Sequence, residues 1–157
     1  MWCVGELDDE YIRRMEDILD LYEAKYDPFE PVVCLDEKPV KLRSDSRESI
    51  PAQPGRLFKR DYEYVRHGKV NVFCSVEPKV GKHFVKATPN RTAPQFAQML
   101  FDIARRYPKA KKIHLVMDNL NTHVEKSLIA HFGEKRGRPL WKRFKPHYTP
   151  THGSWLN

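Results

Sequence analysis

The sequence predicts an α/β fold in which helices cover a sheet that contains buried parallel strands. Residues 112–117 (KIHLVM) form an apolar run that leads directly to Asp118, and a similar run over residues 31–35 ends at Asp36. Runs without polar alternation are typical of strands buried on both faces. Segments with helical periodicity precede and follow the run at 112–117, as expected when helices connect parallel strands.

Length and composition indicate one globular domain. The chain has 157 residues, of which 40% are hydrophobic and 31% charged, so it can bury a real core. We find no apolar run long enough to span a bilayer and no signal peptide, and we expect a cytoplasmic protein. Cys3, Cys34 and Cys74 are far apart in the sequence, which supports neither a zinc site nor a disulfide framework.

Charge is distributed unevenly along the chain. Residues 1–50 contain 14 acidic and 7 basic side chains, whereas residues 51–157 contain 7 acidic and 21 basic ones, and the net charge is +7. A basic region of this size favours an anionic partner, with nucleic acid as the first candidate. A solvated basic face is the alternative explanation.

Local patterns predict the individual elements. Apolar residues at spacings of three and four predict a helix over residues 8–26, and apparent capping boxes at Thr92–Gln95 and Thr122–Glu125 predict the starts of two more helices. Val40–Leu42 either continues the first strand or opens another. Further strands are predicted at 61–67, 70–76, 82–88 and 140–149, with a hairpin turn at Gly68–Lys69 and basic loops at 44–60 and 133–139.

Two acids are the first candidates for a functional site. Asp36 and Asp118 each follow an apolar strand, and they meet if the two strands are neighbours. Paired carboxylates suit Mg²⁺, which prefers oxygen ligands. The alternative is that each aspartate is a turn residue or helix cap. Glu37 is not expected to join them, because the next residue of a strand points to the opposite face.

Four motifs in order carry a family resemblance. They are VCLDEK at 33–38, DYEYVRHG at 61–68, MDNLNTH at 117–123 and HYTPTHGSWLN at 147–157. Together they resemble the catalytic domain of bacterial insertion-sequence transposases of the mariner-like superfamily, which are DDE enzymes with a ribonuclease H-like fold. The resemblance implies a mixed five-stranded sheet with helices on both faces. It also implies two regions, an N-terminal helix and lead-in at 1–30 and a catalytic domain at 31–157.

The resemblance also implies a chemistry, which is DNA transposition by metal-dependent phosphodiester cleavage and strand transfer. Asp36 would bridge two Mg²⁺ ions, for which Mn²⁺ can substitute, and Asp118 would hold one of them. The third acid of the family follows the motif that ends here at Asn157, and helix-turn-helix modules precede the family's catalytic domain. We therefore expect a fragment with a truncated final helix and little or no activity. The implied partners are transposon-end and target DNA, a homodimer is admitted, and no membrane is involved.

Other residues are assigned supporting roles. Asn119 and His123 follow Asp118 and are expected to support the site, although a turn asparagine and a first-turn histidine would look the same. Basic side chains suited to phosphate contacts form the predicted DNA-binding set, which is Arg56, Lys59, Arg60, Lys135, Arg136, Arg138, Lys142, Arg143 and Lys145.

Two alternative functions stay open. The chain could be a non-catalytic remnant of the same fold that binds DNA or an intact transposase, and it would then be insensitive to Mg²⁺. A different ribonuclease H-like nuclease is less favoured, because the acids after Asp118 are Glu125 and Glu134, and Glu125 lies on the helix that follows directly.

Overall fold

The computed structural model describes residues 7–157, and Cys3 with the rest of residues 1–6 lies outside them. A helix opens this part of the chain, a long antiparallel region follows, and helices then alternate with strands. The helices are α1 (Asp9–Glu23), α2 (Ala93–Arg106), α3 (Glu125–Phe132) and α4 (Glu134–Trp141), followed by a 3-10 turn at Ser154–Leu156. The strands are β1 (Val32–Asp45), β2 (Tyr64–Glu77), β3 (Lys82–Thr88), β4 (Ile113–Met117) and β5 (Phe144–Tyr148).

The strands form one mixed sheet in the order β3-β2-β1-β4-β5. β1, β2 and β3 are antiparallel neighbours, whereas β4 pairs with β1 and β5 pairs with β4 in the parallel sense. Parallel neighbours require a crossover, which α2 supplies before β4, and α3 with α4 before β5. The predicted α/β class with a mixed five-stranded sheet is confirmed.

Residue alternation along β1 explains why helices cover both faces of the sheet. Leu35 faces the larger core, where it packs with Phe96 of α2 and other fully buried apolar side chains. Cys34 faces the other side, where it packs with Ile18 of α1. A strand buried on both sides needs apolar residues at consecutive positions, which is the pattern of its sequence.

β1 and β2 are longer than the sequence pattern indicated. β1 continues through Val40–Leu42 to Asp45, and β2 runs without a turn from Tyr64 to Glu77. The hairpin predicted at Gly68–Lys69 is therefore wrong. Gly68 has a φ of +97° where the pairing with β1 shifts register, so the glycine serves a β-bulge inside a strand.

The basic loop predicted over residues 133–139 is a helix instead. Gly133, with a φ of +76°, ends α3, and α4 begins at the next residue. A Cβ added to Gly137 would lie 2.8 Å from the backbone of Ile129, so a glycine is needed for α4 to pack this closely against α3. Gly137 and Pro139 indicated a loop because both weaken isolated helices, but tertiary packing overrides that preference here.

Both predicted capping boxes are wrong in detail, although helices do follow them. The hydroxyl of Thr92 bonds to the side chain of Asn90 at 2.7 Å. α3 begins with Val124 at its N-cap position, and the carbonyl of Thr122 accepts a hydrogen bond from Ser127.

The sequence predicts no membrane-spanning segment. Of the helices in residues 7–157, none combines the length and apolarity that crossing a bilayer requires.

Candidate functional site

The pairing of β1 with β4 brings Asp36 and Asp118 to the same edge of β4. The last paired positions are Leu35 on β1 and Met117 on β4, so each aspartate is the next residue on its strand. Asp36 is not at a strand end as expected, because β1 continues beyond it. The backbones of the two acids still lie side by side, since each follows a residue of the last β1–β4 pair, Leu35 and Met117.

Asp36 is exposed to solvent on the α1 face of the sheet. Its Oδ1 accepts a hydrogen bond from the backbone N–H of Glu37 at 2.7 Å. A cavity of about 490 Å³ lies beside it, lined by Tyr22, Cys34, Asp36, Cys74, Val76, Pro78, Trp155, Leu156 and Asn157. This carboxylate can therefore reach a solvent-borne ligand.

Asp118 is half-buried, and one of its oxygens accepts no hydrogen bond from residues 7–157. Its Oδ1 is buried and accepts no hydrogen bond from the described residues. That oxygen lies 2.8 Å from Nδ1 of His123, but the ring N–H is directed at the Asp118 backbone carbonyl. Burial raises the pKa of Asp118, the nearby charges of Glu37 and Asp36 raise it further, and His123 opposes the rise. A cation beside this carboxylate would favour its ionised form and so oppose the effects of burial and of the neighbouring acids on its pKa.

His123 is fully buried, and its ring lies between Glu37 and Asp118. Its Nε2 lies 2.9 Å from Oε1 of Glu37, and its Nδ1 lies 2.9 Å from the backbone oxygen of Asp118. The ring stacks on Phe96 with centroids 4.5 Å apart. Burial lowers the pKa of His123, but bonding to Glu37 and the charges of Glu37 and Asp118 outweigh it, so the net pKa is raised. This environment favours an imidazolium that bridges two carboxylates.

Glu37 is the site residue that sequence reasoning left out. Strand alternation correctly placed it on the opposite face from Asp36, but that face is the interior. The side chain of Glu37 is 2% exposed and bonds directly to His123. A signal was present in the sequence, because Val33, Leu35 and Glu37 share one face of β1, and a glutamate at a core position needs a buried partner.

Two sets of donor atoms could hold a metal ion here. Ligand atoms of Glu37, Asp118 and His123 all lie within 4.8 Å of one another. In that set, however, both ring nitrogens of His123 already face oxygen partners, so a hydrogen-bonded network accounts for the grouping. Asp36 and Asp118 instead offer an exposed carboxylate and a carboxylate that is 37% exposed. That oxygen-only set fits a hard divalent cation such as Mg²⁺.

Comparison with known families agrees with this geometry. Residues 31–157 match the family described as DDE superfamily endonuclease. The chain belongs to that family. No curated protein sequence matches the chain.

Solved structures of Mos1 transposase share the fold of this chain. The Mos1 transposase paired-end complex with the left transposon end has a TM-score of 0.53 and 16% identity, covering 99% of this chain and 46% of that one. The mariner Mos1 paired-end complex with Mg has a TM-score of 0.52 and 19% identity, covering 96% and 45%. The Mos1 strand transfer complex has a TM-score of 0.53 and 17% identity, covering 94% and 44%. The predicted ribonuclease H-like fold is confirmed, and this chain spans less than half of each Mos1 chain.

Asn119 borders the open side of the candidate site. It is exposed and lines a cavity of about 410 Å³ next to Asp118. His152 lines the same cavity and has a φ of +63°, a left-handed conformation that is uncommon for residues other than glycine. Asn119 is therefore placed to contact a ligand, whereas His123 is placed to support Asp118 from inside.

The predicted DNA-binding residues of the last strand lie at the far end of the sheet from the acids. β4 and β5 pair from Ile113 with Phe144 to Met117 with Tyr148, and the acids are at the Tyr148 end. Lys142 and Lys145 are exposed at the Phe144 end. Their backbone is roughly 13 Å or more from the acids, at about 3.3 Å per strand residue.

The side chain of Arg143 is bonded to the protein backbone and is not available to DNA in the way that an exposed arginine is. Its guanidinium donates to the carbonyl oxygens of Ala104 and Tyr107, at 3.0 and 2.6 Å, where α2 ends. The three basic residues of α4 are exposed, and among them Arg138 forms an ion pair with Glu134 at 3.2 Å. Lys135 and Arg136 are thus more accessible to a phosphate than Arg143.

The other basic group lies on the loop between β1 and β2. Arg56 and Lys59 are exposed on this loop, which two isolated β-bridges pull into a small hairpin. Arg60 pairs with Asp45 at 2.6 Å. Asp45 is nine strand residues beyond Asp36, or roughly 30 Å. Both basic groups therefore flank the acids at a distance.

Proposed function

We propose that residues 31–157 form a catalytic domain of DNA transposition, whose chemistry is metal-dependent phosphodiester cleavage and strand transfer, and that with two acids instead of three this chain has little or no activity by itself. The observation that carries the proposal is that Asp36 and Asp118 lie side by side where β4 ends, with Oδ1 of Asp118 buried, 2.8 Å from Nδ1 of His123 and accepting no hydrogen bond from any residue of 7–157. Membership of the DDE superfamily endonucleases supports it. So do structures of the similarly folded Mos1 transposase with Mg and with Mn.

The proposed roles of the acids follow from their environments. A bound divalent cation supplies charge neutralisation at a phosphate and lowers the pKa of water. Asp36, exposed on the α1 face, would hold the cation from the solvent side. Asp118, which lies against His123, would hold it from the inner side. Asn119, which lines the adjacent cavity, would contact the nucleic acid.

DNA is the proposed partner, as transposon ends and as target. The exposed basic residues of α4 and of the β1–β2 loop would contact phosphates on either side of the acids, which positions DNA without reading its sequence. Residues 1–30 are proposed as a helical lead-in, because Ile18 of α1 packs into the smaller core. A homodimer is also proposed, and sedimentation of the purified protein tests it.

A thermal-shift titration tests the cation site. Mg²⁺ or Mn²⁺ at about 100 times its dissociation constant should stabilise the protein by about 2.7 kcal/mol. Asp36→Asn should fold normally and lose most of this response. Asp20→Asn, which neutralises another exposed aspartate on α1, should keep it. An equal response in wild type and Asp36→Asn would contradict the proposed site.

DNA binding separates the catalytic proposal from a non-catalytic binding module. If these acids hold a cation at a phosphate, Mg²⁺ should tighten binding of a short DNA duplex, and Asp118→Asn should remove that effect. A binding module would hold the duplex equally with and without Mg²⁺, and Asp118→Asn would leave its affinity unchanged. Fluorescence anisotropy at fixed ionic strength distinguishes the two results.

A further inference from the structure

Glu37 is linked to both candidate cation ligands, directly to Asp36 through its backbone and to Asp118 through the side chain of His123. Its N–H donates to Oδ1 of Asp36 at 2.7 Å. Its Oε1 lies 2.9 Å from Nε2 of His123, whose Nδ1 in turn lies 2.8 Å from Oδ1 of Asp118. One buried residue of β1 thereby links the acid of its own strand to the acid that follows β4.

His123 is fixed by a stacking contact and by hydrogen bonds to its backbone. Phe96 of α2 stacks on its ring, and the hydroxyl of Tyr148 on β5 donates to its backbone oxygen at 2.7 Å. Its own N–H bonds to the carbonyl of Leu120 at 2.9 Å, which closes the turn after Asp118. With 0% of its side chain exposed, the imidazole has little room to choose another position.

Asp118 needs such support because its strand has already ended. β4 pairs through Met117, and the turn that follows is constrained by contacts with His123. Asp36, by contrast, lies within a strand paired on its other side with Cys74 of β2. The carboxylate of Asp118 therefore depends on side-chain contacts for its position, whereas the backbone ladder fixes Asp36.

We propose that Glu37 and His123 form a buried positioning bridge that sets the distance between Asp36 and Asp118, and thereby the affinity of the site for a divalent cation. The predicted effect on cation affinity rests on the proposed function, whereas the contacts of the bridge are observed in the structure whether or not a cation binds. Neither residue is a cation ligand in this arrangement. Groups that orient metal ligands commonly contribute about tenfold to hundredfold to metal affinity.

The test measures Mn²⁺ affinity of the purified protein by electron paramagnetic resonance, which counts free Mn²⁺ directly. Glu37→Leu should raise the dissociation constant by at least about tenfold, because His123 loses the partner that holds it. Glu37→Gln keeps an oxygen at the same place and should stay within about threefold of wild type. Rescue by the amide is a result that general destabilisation of the fold would not produce.

Glu77 provides a matched control on the neighbouring strand. It is also a buried glutamate on the inner face of the sheet, but it bonds to Tyr107 at 2.9 Å, at the opposite end of β2 from the bulge. Glu77→Leu removes a comparable buried carboxylate without touching the bridge. It should leave the Mn²⁺ dissociation constant unchanged, and a tenfold rise in this variant would attribute the Glu37 effect to lost stability and overturn the proposal.

A double variant protects the test against loss of folding. Replacing both Glu37 by Leu and His123 by Phe exchanges a buried ionic pair for apolar side chains, which is often neutral or stabilising. The phenyl ring would occupy the stacking position on Phe96. This variant should fold and still bind Mn²⁺ at least about tenfold more weakly.

A crystal structure of metal-free Glu37→Leu separates this proposal from the proposed function. Displacement of the Asp118 carboxylate from its wild-type position supports the bridge, and an unmoved carboxylate overturns it. If wild type binds Mn²⁺ and Glu37→Leu binds it equally well, the bridge is wrong while the cation site stands. If wild type binds no Mn²⁺ through Asp36 and Asp118, the proposed function is wrong, and the position of Asp118 in the crystal alone decides on the bridge.

Discussion

Asp36 and Glu37 are consecutive acids on one strand, and the two faces of the sheet give them opposite environments. Asp36 is exposed on the α1 face, and its carboxylate accepts a hydrogen bond from the next backbone N–H. Glu37 is buried on the α2 face and bonds to a fully buried histidine. Chemically similar side chains therefore serve different purposes, since solvent access leaves one free to bind a ligand and burial commits the other to the fold.

The same contrast separates two arginines that the sequence placed in one basic group. Arg136 is exposed on α4, whereas both guanidinium nitrogens of Arg143 that face α2 donate to its last carbonyls. Type and spacing of charged residues do not distinguish these cases, because exposure is a property of the folded chain. Substitutions in matched pairs should make the contrast measurable.

The largest expected effect comes from Glu37→Ala. Removing one partner of a buried ionic pair leaves the other charge unpaired, so the free energy of unfolding should fall by about 3–5 kcal/mol. Asp36→Ala should change it by less than about 0.5 kcal/mol, as is usual for surface substitutions. Urea denaturation at neutral pH measures both. Equal losses in the two variants would remove the distinction between the faces.

Arg143→Gln should have the next largest effect on stability. Its charged hydrogen bonds hold the carbonyls at the end of α2, and losing them should cost about 1.5–3 kcal/mol. Arg136→Gln should cost less than about 0.5 kcal/mol. In DNA binding the order should reverse, because neutralising one phosphate contact lowers the slope of log affinity against log salt by about 1. A stability loss for Arg136→Gln that matches that of Arg143→Gln would contradict the assignment.

Tyr148→Phe should have a smaller effect. It removes one hydroxyl that donates to the backbone oxygen of His123 at 2.7 Å, while the aromatic ring keeps its packing. A single neutral hydrogen bond contributes about 0.5–1.5 kcal/mol, and the unfolding free energy should fall by that amount. Tyr62→Phe, at a tyrosine that is 90% exposed, should leave stability unchanged. Chemical denaturation of both variants in parallel gives the comparison.

The smallest expected effect is a pH dependence on the α1 face. Burial lowers the pKa of His114, interactions with His147 and Lys145 lower it further, and Glu30 opposes them. The folded state therefore disfavours protonation, so this contribution to stability is present above the ordinary pKa of about 6.5 and is lost as pH falls through the lower folded value. His114→Gln should lose less stability than wild type between about pH 7 and about pH 5.

His131→Gln is the matched control for this pH dependence, because His131 is exposed on α3. It should follow the wild-type curve. A parallel curve for His114→Gln would show that other groups cause the loss. Asp17 faces His147 at 2.6 Å and belongs to the same cluster, so it is left unchanged in both variants.

Much of the fold was accessible from the sequence because strands buried on both faces must be continuously apolar. That requirement located β4 and the buried half of β1, and helical periodicity located α1 and α2. The errors share one cause. Gly68 and Gly137 carry the local signature of a turn or loop, but one serves a β-bulge and the other a close helix contact. A local preference of about 1 kcal/mol is easily overridden by tertiary packing.

The candidate site divides in the same way. The sequence by itself determined that each of two aspartates follows an apolar run, and parallel pairing of those runs brings the two backbones side by side. Tertiary structure alone decided that Glu37 is buried against His123, because the partners are 86 residues apart and no local pattern joins them. It also decided which basic residues are accessible. The sequence specifies the type of each side chain. Burial and bonding partners arise from contacts between distant segments, and they determine what each charged group can do.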